Sequence, residues 1–318
     1  MASVIPTFPE FKHLDIEDRE AIDEIARQHP PYSEFNFTNL FCYDTVGDCQ
    51  VSILHGNLVV RLRDYVTLEP SFSFLGHNKA ADTIHSLIDL AQEQSLLPAL
   101  RFIPESSIRG LLDLPGAAFM ISEDHDSFDY LIAVSDLMEL ATERWRSKRK
   151  AANRFKRSHP ECELRQLDLR APQTQQDIRR LFHTWAKKRD KSQHETRNEL
   201  AAIVRLMQYS GQFRLVSLGA FLDGQLEGFT INEVVHDDHY MGHFGKSNPE
   251  YPGLTVYLES ETARVMDTFG CRAMNYQQDL GLAGLKKFKH SWHPTSYLRK
   301  FTIRRNSHRD ASSTKGAY

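Results

Sequence analysis

The sequence of 318 residues lacks several features that would place it in a familiar class of protein. It has four cysteines, and none of them shows Cys-x-x-Cys spacing, which argues against a disulfide or zinc framework and for thiols in a reducing compartment. No apolar run approaches the ~20 residues of a membrane-spanning helix. The first residues show no basic segment followed by an apolar one, so no signal peptide is evident. We therefore expect a soluble cytoplasmic protein.

Short catalytic motifs are also missing. The sequence contains no Gly-x-Ser-x-Gly, no Walker A motif, no His-Glu-x-x-His and no convincing Gly-x-Gly-x-x-Gly. Common serine hydrolases, P-loop enzymes, zinc proteases and dinucleotide-binding enzymes are therefore disfavoured. Hydrophobic residues make up 41% and aromatic residues 10%, which is enough for packed cores and disfavours general disorder.

Charge is present but unevenly distributed. The net charge is only −3, yet residues 1–135 hold 8 basic against 21 acidic residues, a balance of −13, and residues 136–318 hold 31 against 21, a balance of +10. Such asymmetry predicts two domains, the second of which faces an anionic partner. We place an acidic N-terminal domain at 1–135, a basic C-terminal domain bearing the active site at 136–305, and a disordered tail at 306–318.

The pattern of apolar residues predicts a mixed α/β fold in both halves. The second half opens with a helix over 137–158, and later shows three strand-like runs joined by turns, which predict an antiparallel meander. The remaining elements follow in the order helix, strand, helix, strand, at 252–269, 272–276, 282–290 and 296–304. This order is the one expected of the acetyltransferase-like (GNAT) fold, an α/β architecture with a mixed sheet.

The most basic segment is 144–157, with 8 Lys and Arg in 14 residues and no acidic residue. On a helix, Arg146, Arg149, Lys150 and Arg157 fall on one stripe. Like charges four residues apart oppose the helix by ~0.2–0.5 kcal/mol per pair, so a sequence that accepts this several times is typical of phosphate contact. The alternative is an ordinary solvated surface helix.

The loop before the 252–269 helix occupies the place where acetyltransferases bind the pyrophosphate of coenzyme A at a helix N-terminus. Only Gly253 is present there, and Pro252 removes one backbone donor. Gly253 is a candidate for substrate binding, but a plain turn that opens a helix explains it equally well. The loop makes a simple acetyl-CoA enzyme less favoured.

Two further clusters offer polar side chains for chemistry. Asp279 precedes a short helix with Lys286 and Lys289 on one face, and it either caps that helix or orients an amine. His236, His239 and His243 have spacing compatible with metal ligands, but a hairpin turn at 237–238 explains them better. We expect no metal, and His243 is instead a candidate general base or substrate contact.

These segments together carry a resemblance. The basic helix, the segment HFGKSNPEYPG at 243–253 and the segment QQDLGLAGLKKFK at 277–289 resemble those of small proteins related to the C-terminal domain of phosphatidylglycerol lysyltransferases. The resemblance covers about residues 31–303. It implies two tandem GNAT-like domains and an aminoacyl-tRNA donor whose aminoacyl group passes to an amine or hydroxyl. We expect no multi-span domain like that of the lipid synthases, and Gln277 and Gln278 stand where relatives often have an acidic residue.

The leading hypothesis is thus an aminoacyl-tRNA-dependent aminoacyltransferase that uses no cofactor besides this co-substrate and acts on a lipid or small-molecule acceptor. Asp279 would orient the acceptor or move its proton, with His243 and Tyr276 as further catalytic candidates. Three lysines would hold the terminal phosphates of tRNA or the developing oxyanion: Lys246, Lys286 and Lys289. Five residues would hold the acceptor stem: Arg146, Arg149, Lys150, Arg154 and Arg157.

Two other functions remain open at this point. One is an acyl-CoA-dependent N-acyltransferase acting on a small amine. The other is a non-catalytic module that binds RNA or an anionic membrane through the basic helix, with peripheral membrane contact.

Overall fold

The computed structural model describes residues 4–112, 119–236 and 238–306, and it divides into two compact units. Within those ranges, unit 1 is drawn from Met1–Asp129, Gln278–Leu285 and Leu298–Tyr318, and unit 2 from Tyr130–Gln277 and Lys286–Tyr297. The predicted tail lies outside the described residues from position 307 onward.

Unit 1 is built on a seven-stranded sheet with the order β1-β2-β3-β4-β5-β14-β6. All neighbouring strands are antiparallel except β4 and β5, which are parallel. The strands are β1 Lys12–His13, β2 Gln50–Leu54, β3 Asn57–Arg63, β4 Pro70–Leu75, β5 Ala99–Pro104, β6 Phe119–Glu123 and β14 Lys300–Arg305.

The helices of unit 1 are α1 Arg19–Ala26, α2 Phe37–Tyr43, α3 Ala80–Glu93 and α4 Glu105–Leu112. Helix α3 connects the parallel strands β4 and β5. Its residues Ile84, Leu87, Ile88 and Ala91 recur at helical spacing, and all are buried in the core of unit 1 with Phe72.

Unit 2 has a second seven-stranded sheet, with the order β13-β7-β12-β11-β10-β9-β8. Strands β11 and β12 are parallel, and α9 connects them. The strands are β7 Asp129–Ala133, β8 Glu163–Gln166, β9 Leu215–Leu222, β10 Gln225–His236, β11 His239–Ser247, β12 Ala273–Asn275 and β13 Ser296–Leu298. The predicted meander is therefore formed by β9, β10 and β11.

The remaining helices are α5 Val134–Glu139, α6 Arg146–Ser158, α7 Pro172–Lys188, α8 Gln193–Gln208, α9 Leu254–Thr268 and α10 Ala283–His290. The single helix predicted over 137–158 is wrong. Leu140 takes a left-handed conformation (φ +48°) that ends α5, and a new helix begins at Arg146. This break brings Trp145 into the core of unit 2.

The two sheets exchange one strand each. Strands β6 and β7 follow each other in the chain, yet β6 lies in the sheet of unit 1 and β7 in the sheet of unit 2. Strands β13 and β14 do the same in the opposite direction, so the strand predicted over 296–304 is two strands. The predicted division into 1–135 and 136–305 differs from the structure for this reason, since both units are discontinuous in sequence.

The buried face of α9 positions the site described below. It packs Leu254 and Leu258 against Phe155 of α6 and residues of β9, and Met266 in the core with Tyr240 and Trp292. Glu259 belongs to this buried face, because Ala263 and Met266 follow it at four and seven residues.

Candidate active site in unit 2

Glu259 is a buried acidic residue with few groups around it that could stabilise its charge. Its side chain accepts one hydrogen bond, from the hydroxyl of Tyr276 at 3.0 Å. Among the described residues, no cation lies within ion-pairing distance of its carboxylate. Burial raises the pKa of Glu259 to about 7, although Tyr276 and Lys148 act to lower it. A carboxyl group with this pKa can accept and return a proton near neutral pH.

Three buried donors lie in the core that surrounds Glu259. The hydroxyl of Tyr240 and the indole nitrogens of Trp145 and Trp292 have no hydrogen-bond partner among the described residues. All three residues belong to one core, with Tyr276 packed against it. A buried donor left without an acceptor costs ~1–3 kcal/mol, so three in one core mark a place suited to an acceptor atom of a ligand.

Lys148 approaches the same core from α6. Its ammonium nitrogen lies 3.9 Å from the ring centroid of Trp292 and 2.9 Å from the hydroxyl of Ser291. Burial lowers the pKa of Lys148 to about 8, with the charge of Glu259 opposing the shift. We call the set the Glu259 site, and its members are Lys148, Trp145, Tyr240, Glu259, Tyr276 and Trp292.

Aromatic rings connect the Glu259 site to the surface of unit 2. Phe288 on α10 is 38% exposed, and its ring centroid lies 6.0 Å from Tyr276 and 6.1 Å from Trp292. Tyr276 in turn reaches Glu259 through its hydroxyl. Phe288 is thus the exposed member of an aromatic cluster that includes Tyr276 and Trp292.

The strands beside the site separate near Tyr276. Strands β11 and β12 pair only from His239 to Met241, and the side-chain amide of Gln277 then donates to the carbonyl of Gly242 at 2.8 Å. Tyr276 and His243 lie beyond the paired region, on the two separating segments.

A different buried acidic cluster occurs in unit 1. The ammonium of Lys300 lies 2.5 Å from Glu34 and 2.7 Å from Asp129, and all three side chains are inaccessible to solvent. Gln278 donates to Glu34 at 2.7 Å, and Ser33 donates to Asp129 at 2.6 Å. Burial raises the pKa of Glu34 while Lys300 opposes the shift, and the two carboxylates raise the pKa of Lys300 against the effect of burial.

The three predicted catalytic residues have different surroundings. Tyr276 lies in the Glu259 site. His243 is buried on β11, with its Nε2 3.1 Å from a carboxylate oxygen of Glu233 on β10. Asp279 belongs to unit 1, where it is fully buried and accepts the backbone N–H of Gly281 at 2.9 Å.

The predicted substrate lysines also have local partners. Lys246 forms an ion pair with Glu199 at 2.6 Å and lies over the ring of Trp185. Lys289 is buried and donates to the carbonyl of Tyr276, while Lys286 is half-buried on α10.

Gly253 has a packing role. It precedes α9 with φ +95°, and a Cβ atom there would lie 2.3 Å from the carbonyl oxygen of Ala151 on α6. Helix α6 therefore lies against the start of α9, and its close approach explains the glycine without a bound anion. The expectation that Gly253 binds substrate finds no support in this geometry.

The basic helix presents a cationic surface, but not with every predicted residue. Arg149 donates to the carbonyls of Leu140, Ala141 and Thr142, which satisfies the end of α5. Arg146 pairs with Glu143 at 2.9 Å. Four exposed cations have no acidic partner among the described residues: Lys150, Arg154, Lys156 and Arg157.

The family model of the phosphatidylglycerol lysyltransferase C-terminal region matches residues 26–304. The chain belongs to this family. The resemblance expected from the sequence is thereby confirmed, and with it an enzyme of the acyltransferase type. The GNAT-like order of meander, helix and parallel strand is present in both units, which confirms the predicted fold class.

Solved structures agree with this family at the level of fold. A conserved protein of unknown function from Bacteroides thetaiotaomicron is 22% identical, with a TM-score of 0.81 over 93% of this chain and 99% of that one. The C-terminal domain of a putative lysylphosphatidylglycerol synthetase from Agrobacterium fabrum is 12% identical, with a TM-score of 0.62 over 92% of each chain. L-PGS from Bacillus licheniformis is 13% identical, with a TM-score of 0.59 over 91% and 92%.

No curated protein sequence matches the chain. None of the helices within the described ranges combines the length and apolar character needed to cross a membrane. Membership in the lysyltransferase family gives the enzyme its class, an acyltransferase.

Proposed function

We propose that the chain transfers an aminoacyl group from aminoacyl-tRNA to an amine or hydroxyl of a lipid or small-molecule acceptor, and that the Glu259 site carries out the transfer. The observation that carries this proposal is a buried carboxyl group without an ion-pair partner beside three donors without an acceptor, all judged among the described residues. A carboxyl accepts a proton, and donors stabilise an oxyanion, which are the two tasks of acyl transfer from an activated ester.

The proposed reaction assigns a role to each group. Glu259 takes the proton of the acceptor as its nitrogen or oxygen forms a bond to the acyl carbon. The carbonyl oxygen becomes an oxyanion, and N–H or O–H donors of Trp292, Trp145 or Tyr240 would hold it. The ester C–O bond to the tRNA ribose then breaks, and the proton passes from Glu259 to the departing oxygen. Tyr276 orients the Glu259 carboxylate through its hydrogen bond.

The exposed cations of α6 support tRNA as the donor. Lys150, Arg154 and Arg157 have no acidic partner among the described residues, and the same is true of Lys156. Four such cations on one helix form a surface that suits a polyanion. Replacing each of these three residues by Ala should lower the slope of log affinity against log salt by about one. Arg170→Ala removes an exposed arginine that is already paired with Asp168 and is the matched control.

The acyl-CoA alternative is less well supported, because α6 lies against Gly253 at the place where a pyrophosphate would be bound. Thermal stabilisation by acetyl-CoA but not by tRNA would nevertheless reverse this ranking. Membership in an acyltransferase family likewise disfavours a module that only binds RNA or membrane.

The decisive experiment incubates the chain with labelled aminoacyl-tRNAs and a cell extract and identifies the labelled product. Glu259→Gln should reduce transfer by about 10²–10⁴-fold, the usual contribution of a proton-transfer group. Asp279→Asn tests the candidate proton acceptor that the sequence suggested. If Asp279→Asn abolishes transfer and Glu259→Gln does not, the proposed site is wrong.

A further inference from the structure

Lys148 differs from the other cations of its helix. Lys150, Arg154 and Arg157 are exposed, whereas Lys148 is half-buried, with its ammonium over the Trp292 ring and hydrogen-bonded to Ser291. It is therefore the cation of α6 that reaches the Glu259 site.

Lys246 provides an internal comparison, because its ammonium also lies over an indole ring, 4.4 Å from the centroid of Trp185. Lys246 has an ion-pair partner, Glu199, at 2.6 Å. Among the described residues, Lys148 has no carboxylate within ion-pairing distance, and its hydrogen-bond partner is the neutral hydroxyl of Ser291. Burial without a carboxylate at ion-pairing distance thus favours the neutral amine of Lys148.

A neutral amine is a nucleophile, and the groups near Lys148 are those that acyl transfer needs. Glu259 influences the charge of Lys148 and has no ion-pair partner within the described part of the chain. The indole N–H of Trp292, the ring that Lys148 covers, has no acceptor there either. An acyl carbon next to the Lys148 nitrogen would therefore have a proton acceptor and an oxyanion donor nearby.

We propose that Lys148 is itself an acyl acceptor, so that an activated ester bound in the Glu259 site acylates its Nζ when no other acceptor is present. The idea rests on the proposed function, since it uses the same site and the same donor class. Nζ loses a proton to Glu259 and forms an amide bond to the acyl carbon. The ester C–O bond breaks, and the alcohol leaves with that proton. The product is a stable amide that replaces the ammonium over Trp292.

The test treats the full chain with a small amount of p-nitrophenyl acetate and measures acetylation of each lysine by peptide mass spectrometry. Lys148 should be acetylated at least about 10-fold faster than Lys150 or Lys246, because its lowered pKa leaves far more free amine near neutral pH. Glu259→Gln should lower the rate at Lys148 without changing the rate at Lys150, and Lys148→Arg should remove the modified peptide. Equal labelling of the three lysines would overturn the proposal.

A second arm repeats the measurement with labelled aminoacyl-tRNAs and no acceptor. Aminoacyl label on Lys148 supports both the inference and the tRNA donor. Preferential acetylation of Lys148 by the small ester, without any label from tRNA, supports the role of Lys148 and excludes aminoacyl-tRNA as its donor. Transfer from tRNA to an added acceptor, with Lys148 unlabelled by either reagent, overturns the inference and leaves the proposed function standing.

Discussion

Glu34 is buried in unit 1 and Glu259 in unit 2, and these two glutamates differ in their surroundings. Glu34 of unit 1 has a lysine at 2.5 Å and an amide donor at 2.7 Å, and the neighbouring Asp129 shares the same lysine. Within the described part of the chain, Glu259 of unit 2 accepts a hydrogen bond from one group, the hydroxyl of Tyr276, and donors without a partner lie in the adjoining core. Burial raises the pKa of both carboxyl groups.

The difference separates a structural role from a chemical one. A cation and hydrogen bonds offset the cost of removing a buried carboxylate from water. Removing one member of such a cluster leaves the other charges buried without a partner. A buried carboxylate without such compensation persists at a cost in stability, and uncompensated groups of this kind concentrate at functional sites. We therefore assign the Lys300 cluster a structural role in unit 1, and we propose that the Glu259 site carries the chemistry.

The largest expected effect is on the compensated cluster. Lys300→Met leaves Glu34 and Asp129 buried without their cation, which should lower the free energy of unfolding by about 3–5 kcal/mol. Denaturant titration measures this change. Arg305→Ala, on the same strand, removes a partly exposed ion pair with Asp89 and should cost at most about 1 kcal/mol. Similar losses of unfolding free energy in both variants would show that the Lys300 cluster contributes no more to stability than the exposed ion pair of Arg305.

Glu259→Gln should have the opposite effect on stability. The folded-state pKa of Glu259 lies above the unfolded value, so its protonation stabilises the fold below pH 4.5, and that stabilisation is lost as the pH rises through about 7. The variant should therefore gain roughly 3 kcal/mol relative to the wild type between pH 4.5 and pH 8. Chemical denaturation across this range measures the difference.

Glu261→Gln is the matched control, on the same helix, where the carboxylate is half-buried and faces Arg264. That variant should change stability by no more than about 1 kcal/mol at each pH. A difference between wild type and Glu259→Gln that does not grow with pH would contradict an uncompensated carboxylate in unit 2.

Tyr276→Phe tests a smaller effect within the Glu259 site. The tyrosine hydroxyl donates to Glu259 and lowers the pKa of that carboxyl, so its removal should move the rising limb of the pH–rate profile to higher pH. A hydrogen bond to a charged group is worth ~1.5 kcal/mol, which corresponds to a shift of about one unit. An unchanged profile would show that Tyr276 does not act through Glu259.

Much of the fold could be predicted from local patterns. The meander, α9 and the succession of elements along the chain from β9 to α10 follow from apolar alternation, helical spacing and turns. The exchange of β7 and β14 between the sheets could not, because the pairing of a strand depends on partners far away in sequence. The cluster of Glu34, Asp129 and Lys300 was hidden for the same reason.

The candidate site was missed through the assignment of one helix face. The apolar residues Val265 and Phe269 suggest a buried face of α9 that includes both, but Phe269 is 54% exposed and the buried stripe runs through Ala263. This buried stripe includes Glu259. An acidic residue within an otherwise apolar stripe indicates a functional site, and the sequence carries that signal. Tyr276 was identified because it lies next to the Gln277–Lys289 segment.

The rate of acyl transfer in Glu259→Gln and Glu34→Gln, measured side by side, tests the central claim most directly. Both variants replace a buried glutamate by its neutral isostere, one in each unit. We predict that Glu259→Gln loses about 100-fold or more in rate while remaining folded, and that Glu34→Gln retains its rate when folded. Loss of transfer in Glu34→Gln, with Glu259→Gln active, would contradict the account.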